Sequence, residues 1–202
     1  MNQHQEVRGA LEVALARTPG VSSAAYFGST GSDGADGFSD IDLVVRCSSD
    51  SASRFLVELH AILAIVLFRP FSEDRRPAGR YWFANTNPFV RLDLSFYEGA
   101  DFDEVLCNGR GFAQPPFRVI PVQGSSEWAA CGVLPSWSRL DHEFAGALRR
   151  FHEASKRVAR HLEPKRPVAE AEASVLSYRD QPLRPEIWDL YKETLEVLAH
   201  PA

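Results

Sequence analysis

Two aspartates one residue apart, Asp40 and Asp42, flank Ile41 at the mouth of an apolar stretch that runs to Val45. In a strand, side chains at i and i+2 share a face. Their carboxylates then stand about 7 Å apart by strand rise. Carboxylates so placed suit hard divalent cations, and Mg²⁺ in particular binds through few carboxylates plus substrate phosphates and waters. Gly28-Ser29 follows an earlier apolar stretch and is separated from Asp40 by residues 30–39. Such a turn lets backbone N–H groups approach a phosphate, and the serine hydroxyl adds a donor. Asp93 lies among Val90, Leu92, Leu94 and Phe96. A third carboxylate from a neighbouring strand would complete a two-cation clamp across an in-line phosphoryl displacement. Each feature alone has a plainer reading. Gly28-Ser29 is then a turn, Asp40 and Asp42 are a solvated strand start, and Asp93 is paired with a structural cation such as Arg46 or Arg69. Arg91 is set aside for that pairing, on the expectation that it points away from Asp93.

Together, the stretch AAYFGSTGSDGADGFSDIDLVV and the later RLDLSF resemble the fingerprint of the DNA polymerase β-like nucleotidyltransferase superfamily in its small single-chain form. The family pattern is Gly-Ser, a loop of this length, Asp-x-Asp and a third Asp on a following strand. It falls on Gly28, Ser29, Asp40, Asp42 and Asp93, within residues 21–97. The resemblance implies transfer of a nucleoside monophosphate from an NTP, with ATP the expected one, to an acceptor hydroxyl, with release of pyrophosphate. It implies two Mg²⁺ ions, with Asp40 and Asp42 holding the metal that grips the triphosphate. Asp93 joins the second metal or takes the acceptor proton, and Gly28 and Ser29 bind terminal phosphates. Such catalysis is mostly positioning and charge neutralisation. Members with a helical C-terminal part include aminoglycoside nucleotidyltransferases and antitoxin-type enzymes. The expected acceptor is therefore a small hydroxylated molecule, an aminoglycoside-like antibiotic among the candidates. The alternatives are a hydroxyl of a partner protein and a nucleotide-binding protein of the same fold without turnover.

These residues need elements to hold them. Glu6–Arg17 carries Val7, Ala10, Leu11, Ala14 and Leu15 at helical spacing. Val21–Phe27 and Ile41–Val45 read as strands around a Gly-rich loop in which Asp33 and Asp36 serve turn geometry. A helix is expected from Ser51 to about Leu63, a strand over Ile65–Phe68, and a hairpin pairing Tyr81–Ala84 with Phe89–Tyr97. Val119–Val122 reads as an edge strand. The acidic Asp101, Asp103 and Glu104 are assigned to a solvated loop. Ser136 is the expected N-cap of a long helix to about Leu162, whose Leu140, Phe144, Leu148, Phe151 and Ala154 form an apolar stripe. Val168–Tyr178 and Glu186–Ala199 read as further helices. The expectation is an α+β protein: a mixed-sheet nucleotidyltransferase domain over 1–135 and a small C-terminal helical bundle over 136–202.

The 202 residues are 45% apolar and 24% charged, the balance of an ordinary folded protein. The longest apolar run, Ala61–Phe68, is far short of the roughly 20 residues of a membrane span. The N-terminus lacks a basic start followed by an apolar stretch, so the expected location is cytoplasmic, without membrane partners. Residues 1–135 carry 11 Arg, no Lys and 16 acidic residues, which disfavours a nucleic-acid surface. Anions bound there must be held by Arg or by backbone N–H groups. Arg75, Arg76 and Arg80 form the densest basic cluster of that part, read as a solvated turn with a triphosphate contact as the alternative. The set Arg149, Arg150, Lys156, Arg157, Arg160, Lys165 and Arg166, interleaved with Glu153 and Glu163, reads as the solvated face of the long helix. Asp141 and Glu143 are weighed as contacts to a cationic acceptor. Trp128, Trp137 and Trp188 read as core anchors. No His spacing indicates zinc. Cys47, Cys107 and Cys131 read as reduced, buried thiols.

Overall fold

The computed structural model describes residues 3–32, 36, 38–72, 77–110, 113–114, 116–122 and 133–199. Among these, six strands and seven helices make an α+β fold on one mixed sheet. In chain order the elements are α1 (Gln3–Arg17), β1 (Ser23–Phe27), the single turn α2 (Gly28–Gly31), β2 (Ile41–Arg46), α3 (Ser49–Ile62), β3 (Ile65–Pro70), β4 (Gly79–Phe83), β5 (Leu92–Tyr97), α4 (Gly99–Asn108), β6 (Arg118–Pro121), α5 (Arg139–Ala159), α6 (Val168–Leu176) and α7 (Pro185–Ala199). The strand order is β3-β4-β5-β2-β1-β6. Only β2 and β5 run parallel; the other neighbours are antiparallel.

The two sheet faces are covered differently. On one, Tyr26, Leu43, Leu92 and Tyr81 meet Val7, Leu11 and Leu15 of α1 and Phe55, Leu56 and Leu59 of α3 in a single apolar core. On the other, α4 covers one end, where Phe102 and Val105 pack on Ala25, Phe27 and Val44. Helices α5, α6 and α7 cover the opposite end, where Phe144, Leu148, Ile187 and Leu190 pack on Val66, Leu67 and Trp82. The C-terminal helices thus share a core with β3 and β4. Between the two coverings the strands present charged residues.

The hairpin is β4 against β5, as expected from the pattern, and β6 is the edge strand. Several local expectations are corrected. The long helix is capped by Ser138, not Ser136, and ends at Ala159. Ser138 and Asp141 form a reciprocal capping box that satisfies otherwise orphaned N–H groups. Asp141 therefore serves the cap, and Glu143 pairs with Arg139 at 2.8 Å. Asp101, Asp103 and Glu104 lie on α4, not in a loop, and Asp103 pairs with Arg46 at 3.3 Å. Cys47 is buried, but Cys107 is exposed. Cys131, Trp128, Asp33, Arg75 and Arg76 lie outside the described residues. Trp137 donates to the Val66 carbonyl at 3.1 Å, and Trp188 packs on Phe144. Among the described residues no helix is long and apolar enough to cross a membrane.

Candidate functional site

The register across the sheet assembles the site. Phe27, Asp42, Asp93, Arg80 and Arg69 are direct neighbours on β1, β2, β5, β4 and β3. Directly opposed residues project to the same face, so Asp42 and Asp93 stand side by side, about 4.8 Å apart along the sheet. Phe27 ends β1, and the chain breaks into α2 at Gly28. There φ is +60°, a region that disfavours side chains, and a Cβ would lie 2.7 Å from Asp42 Oδ2. Glycine thus lets the turn close on the Asp42 carboxylate. Thr30 ties the same turn to the opposite end of the loop, its hydroxyl donating to the Asp40 carbonyl at 3.1 Å. Asp36 shapes the loop as expected, accepting from the Phe38 N–H at 3.0 Å and from the Ser39 hydroxyl at 2.8 Å.

The carboxylates are embedded in cations of the chain itself. Arg91 is buried and joins two of them, donating through Nε to Asp93 Oδ1 at 3.0 Å, with Nη2 2.6 Å from Asp40 Oδ2. This corrects the expectation that Arg91 points away: residues 91 and 93 are i and i+2 and share a face. Burial pulls the Arg91 pKa down, but Asp93 and Asp40 outweigh it and leave the guanidinium above its ordinary value. Arg80 holds the other Asp93 oxygen at 3.1 Å, from the directly opposed position on β4. Of the partners considered for Asp93, Arg46 pairs with Asp103 and Arg69 stands one strand beyond Arg80, so neither takes that role. Lys156 of α5 is buried and pairs with Asp40 Oδ1; burial lowers its pKa, and Asp40 partly restores it.

Asp42 has no such partner among the described residues. Burial, then Asp93, then Asp40 push its carboxyl pKa up to about 7, against the weaker pull of Arg91 and Lys156. It is the group in the cluster whose negative charge is least compensated.

Ser29, Asp40 and Asp42 open on a cleft of about 740 Å³ whose far wall is α5 and the turn after it, with Arg149, Lys156, Arg157, Arg160 and Lys165. Arg160 grips Asp36 of the loop at 2.6 Å. Five of the seven basic residues read as a solvated face therefore line the cleft. Its signal was present, since Arg149, Glu153, Lys156 and Arg160 follow one another at i, i+4, i+7 and i+11 along one face of the helix. Of the cluster Arg75, Arg76 and Arg80, the described member is in a strand within the charged row.

Among the described residues no three His, Cys, Asp or Glu side chains are gathered as a ready-made metal site. The donor chemistry nevertheless fits a hard divalent cation. Asp42 is a partly buried, under-compensated carboxylate, whereas Asp93 is held on both oxygens by Arg80 and Arg91 and Asp40 by Arg91 and Lys156, so a cation on Asp42 would gain a second carboxylate only by displacing one of these. A cation there would offset the burial and the carboxylate repulsion that together raise Asp42.

No protein-family model matches this chain, and no curated protein matches it.

Proposed function

We propose that the protein is a metal-dependent nucleotidyltransferase that moves a nucleoside monophosphate from an NTP, most simply ATP, to a hydroxyl of a small acceptor. The observation that carries this reading is the register pair Asp42–Asp93 beside the Gly28-Ser29 turn, with Asp42 opening on a cleft that has a cationic wall and Asp93 buried behind it. Asp40 and Asp42 would hold the cation in place of the Lys156 ammonium, with Asp93 as the third carboxylate. When bound, the cation would neutralise charge on the triphosphate. Gly28 allows the backbone to approach a phosphate, and Ser29 adds a hydroxyl donor. Arg91 bridges Asp40 and Asp93 and so holds both carboxylates in place. Arg157 and Lys165 supply positive charge to the phosphates from the opposite wall.

In the transfer itself the acceptor oxygen forms a bond to the α-phosphorus, and the bond from that phosphorus to the pyrophosphate oxygen breaks. Pyrophosphate leaves with the electron pair, and the hydroxyl proton passes to a carboxylate of the cluster. The test is incubation with each labelled NTP, Mg²⁺ and hydroxylated acceptors, scored for pyrophosphate release and labelled acceptor. Release that requires both Mg²⁺ and Asp42 supports the reading; nucleotide binding without turnover for every acceptor class counts against it.

A second reading draws on the ion pairs. Asp93 has a guanidinium on each oxygen, and Asp40 has Arg91 and Lys156. A site neutralised by its own cations suits a nucleotide-binding protein of this shape without turnover. Nucleotide affinity that is independent of Mg²⁺ would favour it.

A further inference from the structure

The charged row continues past the carboxylates. Arg69 on β3 stands directly opposite Arg80 on β4, and like charges so opposed are unfavourable by themselves. Helix α5 crosses above them. Its Gly146 lies so close to the Arg69 guanidinium that any side chain there would displace it. Arg149 and Arg150 follow Gly146 at i+3 and i+4, on the same side of the helix.

These four guanidinium groups share two carboxylates. Asp93 pairs with Arg80 and Glu153 with Arg149, and Arg91 also approaches both. Arg69 Nη1, Arg149 Nε and Arg150 Nε are buried without a hydrogen-bond partner. Burial and the charges of Arg149, Arg80 and Arg150 hold the Arg69 pKa below its ordinary value. Buried donors without acceptors are costly, and an anion supplies acceptors and opposite charge together. The cluster opens outward at two separate places: Arg69 lines a cavity of about 610 Å³ with Phe71, Trp137 and His142, and Arg149 lines the main cleft.

We propose that this arginine cluster is a subsite for an anionic group, a carboxylate or phosphate, of the acceptor. The word acceptor rests on the nucleotidyl-transfer reading above; the anion site does not. Arg69 is two strand spacings from Asp93, about 10 Å, so the anionic group sits about that far from the reacting hydroxyl. The acceptor is then an anionic hydroxylated molecule. A polycationic aminoglycoside would meet like charge at this place.

The probes are inorganic phosphate and Mg²⁺ with α,β-methylene ATP, each titrated calorimetrically into the full chain and into Arg69→Gln, Gly146→Ala and Asp42→Asn. Phosphate should bind the wild type and should still bind when the protein is saturated with the nucleotide analogue. Arg69→Gln should weaken phosphate about tenfold or more, by loss of charge-assisted bonds, and leave the analogue unchanged. Gly146→Ala, which crowds the guanidinium from the helix side, should weaken phosphate in the same way and gives an independent reading should the first variant fold poorly. Asp42→Asn should do the reverse, losing the analogue and keeping phosphate. The proposal is overturned if the wild type binds no phosphate or if Arg69→Gln keeps the wild-type phosphate affinity. It is also overturned if that variant loses analogue and phosphate together, which would make the cluster a triphosphate site. Should phosphate depend on Arg69 while the analogue binds nowhere, the anion site stands and the nucleotidyl-transfer reading is what fails.

Discussion

On the face beneath α1 and α3 the central strands present Tyr26, Leu43, Leu92 and Tyr81, none more than 1% exposed. One residue out of step, the same strands present Phe27, Asp42, Asp93 and Arg80 on the other face. The difference is not one of propensity, since both sets sit in regular ladder positions. It follows from what covers them. Two helices close the first face completely, whereas α4 and the α5–α7 group meet the second from opposite ends and leave the middle to charged side chains. A one-residue slip in strand register would exchange the two sets. The dry face therefore fixes the register, and the register places the carboxylates.

That division of labour gives a pair of contrasting expectations. Phe55 is fully buried in the closed face. Phe55→Ala should lower unfolding free energy by about 3–5 kcal/mol, through lost burial and a residual cavity, read from urea denaturation midpoints. Nucleotide-analogue affinity of the folded fraction should be unchanged. A loss below about 1 kcal/mol would mean that this face tolerates cavities and cannot be what holds the register.

Asp42→Asn should behave in the opposite sense. It removes a charge that would hold a cation, a change worth several kcal/mol of transition-state stabilisation, or roughly 10²–10³-fold in turnover. The metal-free variant should melt no lower than the wild type, because the cost of burying the Asp42 charge and its repulsion from Asp93 and Asp40 are relieved. Mg²⁺ with the nucleotide analogue should raise the wild-type melting temperature by mass action and shift the variant much less. Equal gains in both proteins would remove Asp42 from the proposed site.

A smaller effect separates the faces by pH. The Asp42 carboxyl is raised to about 7 in the folded state, against an unfolded value of about 3.9. Between these values the folded protein keeps a proton that the unfolded chain has lost. Stability from this group is thus fully present below about pH 4 and is lost as pH rises through about 7. Denaturation midpoints of the metal-free protein should fall over that window, and the slope should flatten in Asp42→Asn. The wild-type and variant profiles would run parallel if burial left Asp42 unshifted.

Much of this was legible before any coordinates. The i, i+2 spacing of Asp40 and Asp42, the Gly28-Ser29 turn and an Asp inside an apolar run were all visible as local patterns, because strands impose period two. The same rule puts Arg91 and Asp93 on one face, and an expectation that Arg91 points away conceals the central ion pair. Lys156 is a different case. It lies 116 residues from Asp40, and a Lys on a helix rich in charge reads as solvated until the packing of α5 against β3 is known. Helix α4 was lost because its buried residues, Phe102 and Val105, are only two and stand among acidic neighbours that resemble a loop. The N-cap of α5 was displaced by two residues, since Ser136 and Ser138 are equivalent by type and only the Asp three residues after Ser138 distinguishes them.

That cap supplies the finest test of the two-face comparison. Ser138 and Asp141 satisfy each other's backbone N–H groups at the start of α5, with Asp141 Oδ2 accepting from the Ser138 N–H at 2.7 Å. The same helix carries Gly146, Arg149 and Lys156, the residues that meet Arg69, Glu153 and Asp40. Ser138→Ala should cost about 1 kcal/mol of stability, within the 0.5–2 kcal/mol range of lost caps, visible as a small shift in the urea midpoint. Lys156 is five turns further along, and its position is set by the packing of Phe144, Leu148 and Phe151 rather than by the first turn. Analogue affinity should therefore be unchanged in Ser138→Ala. A parallel loss of affinity would show that fraying at the N-terminus moves the whole helix, so that the cationic wall of the cleft depends on the cap and not on the apolar stripe beneath it.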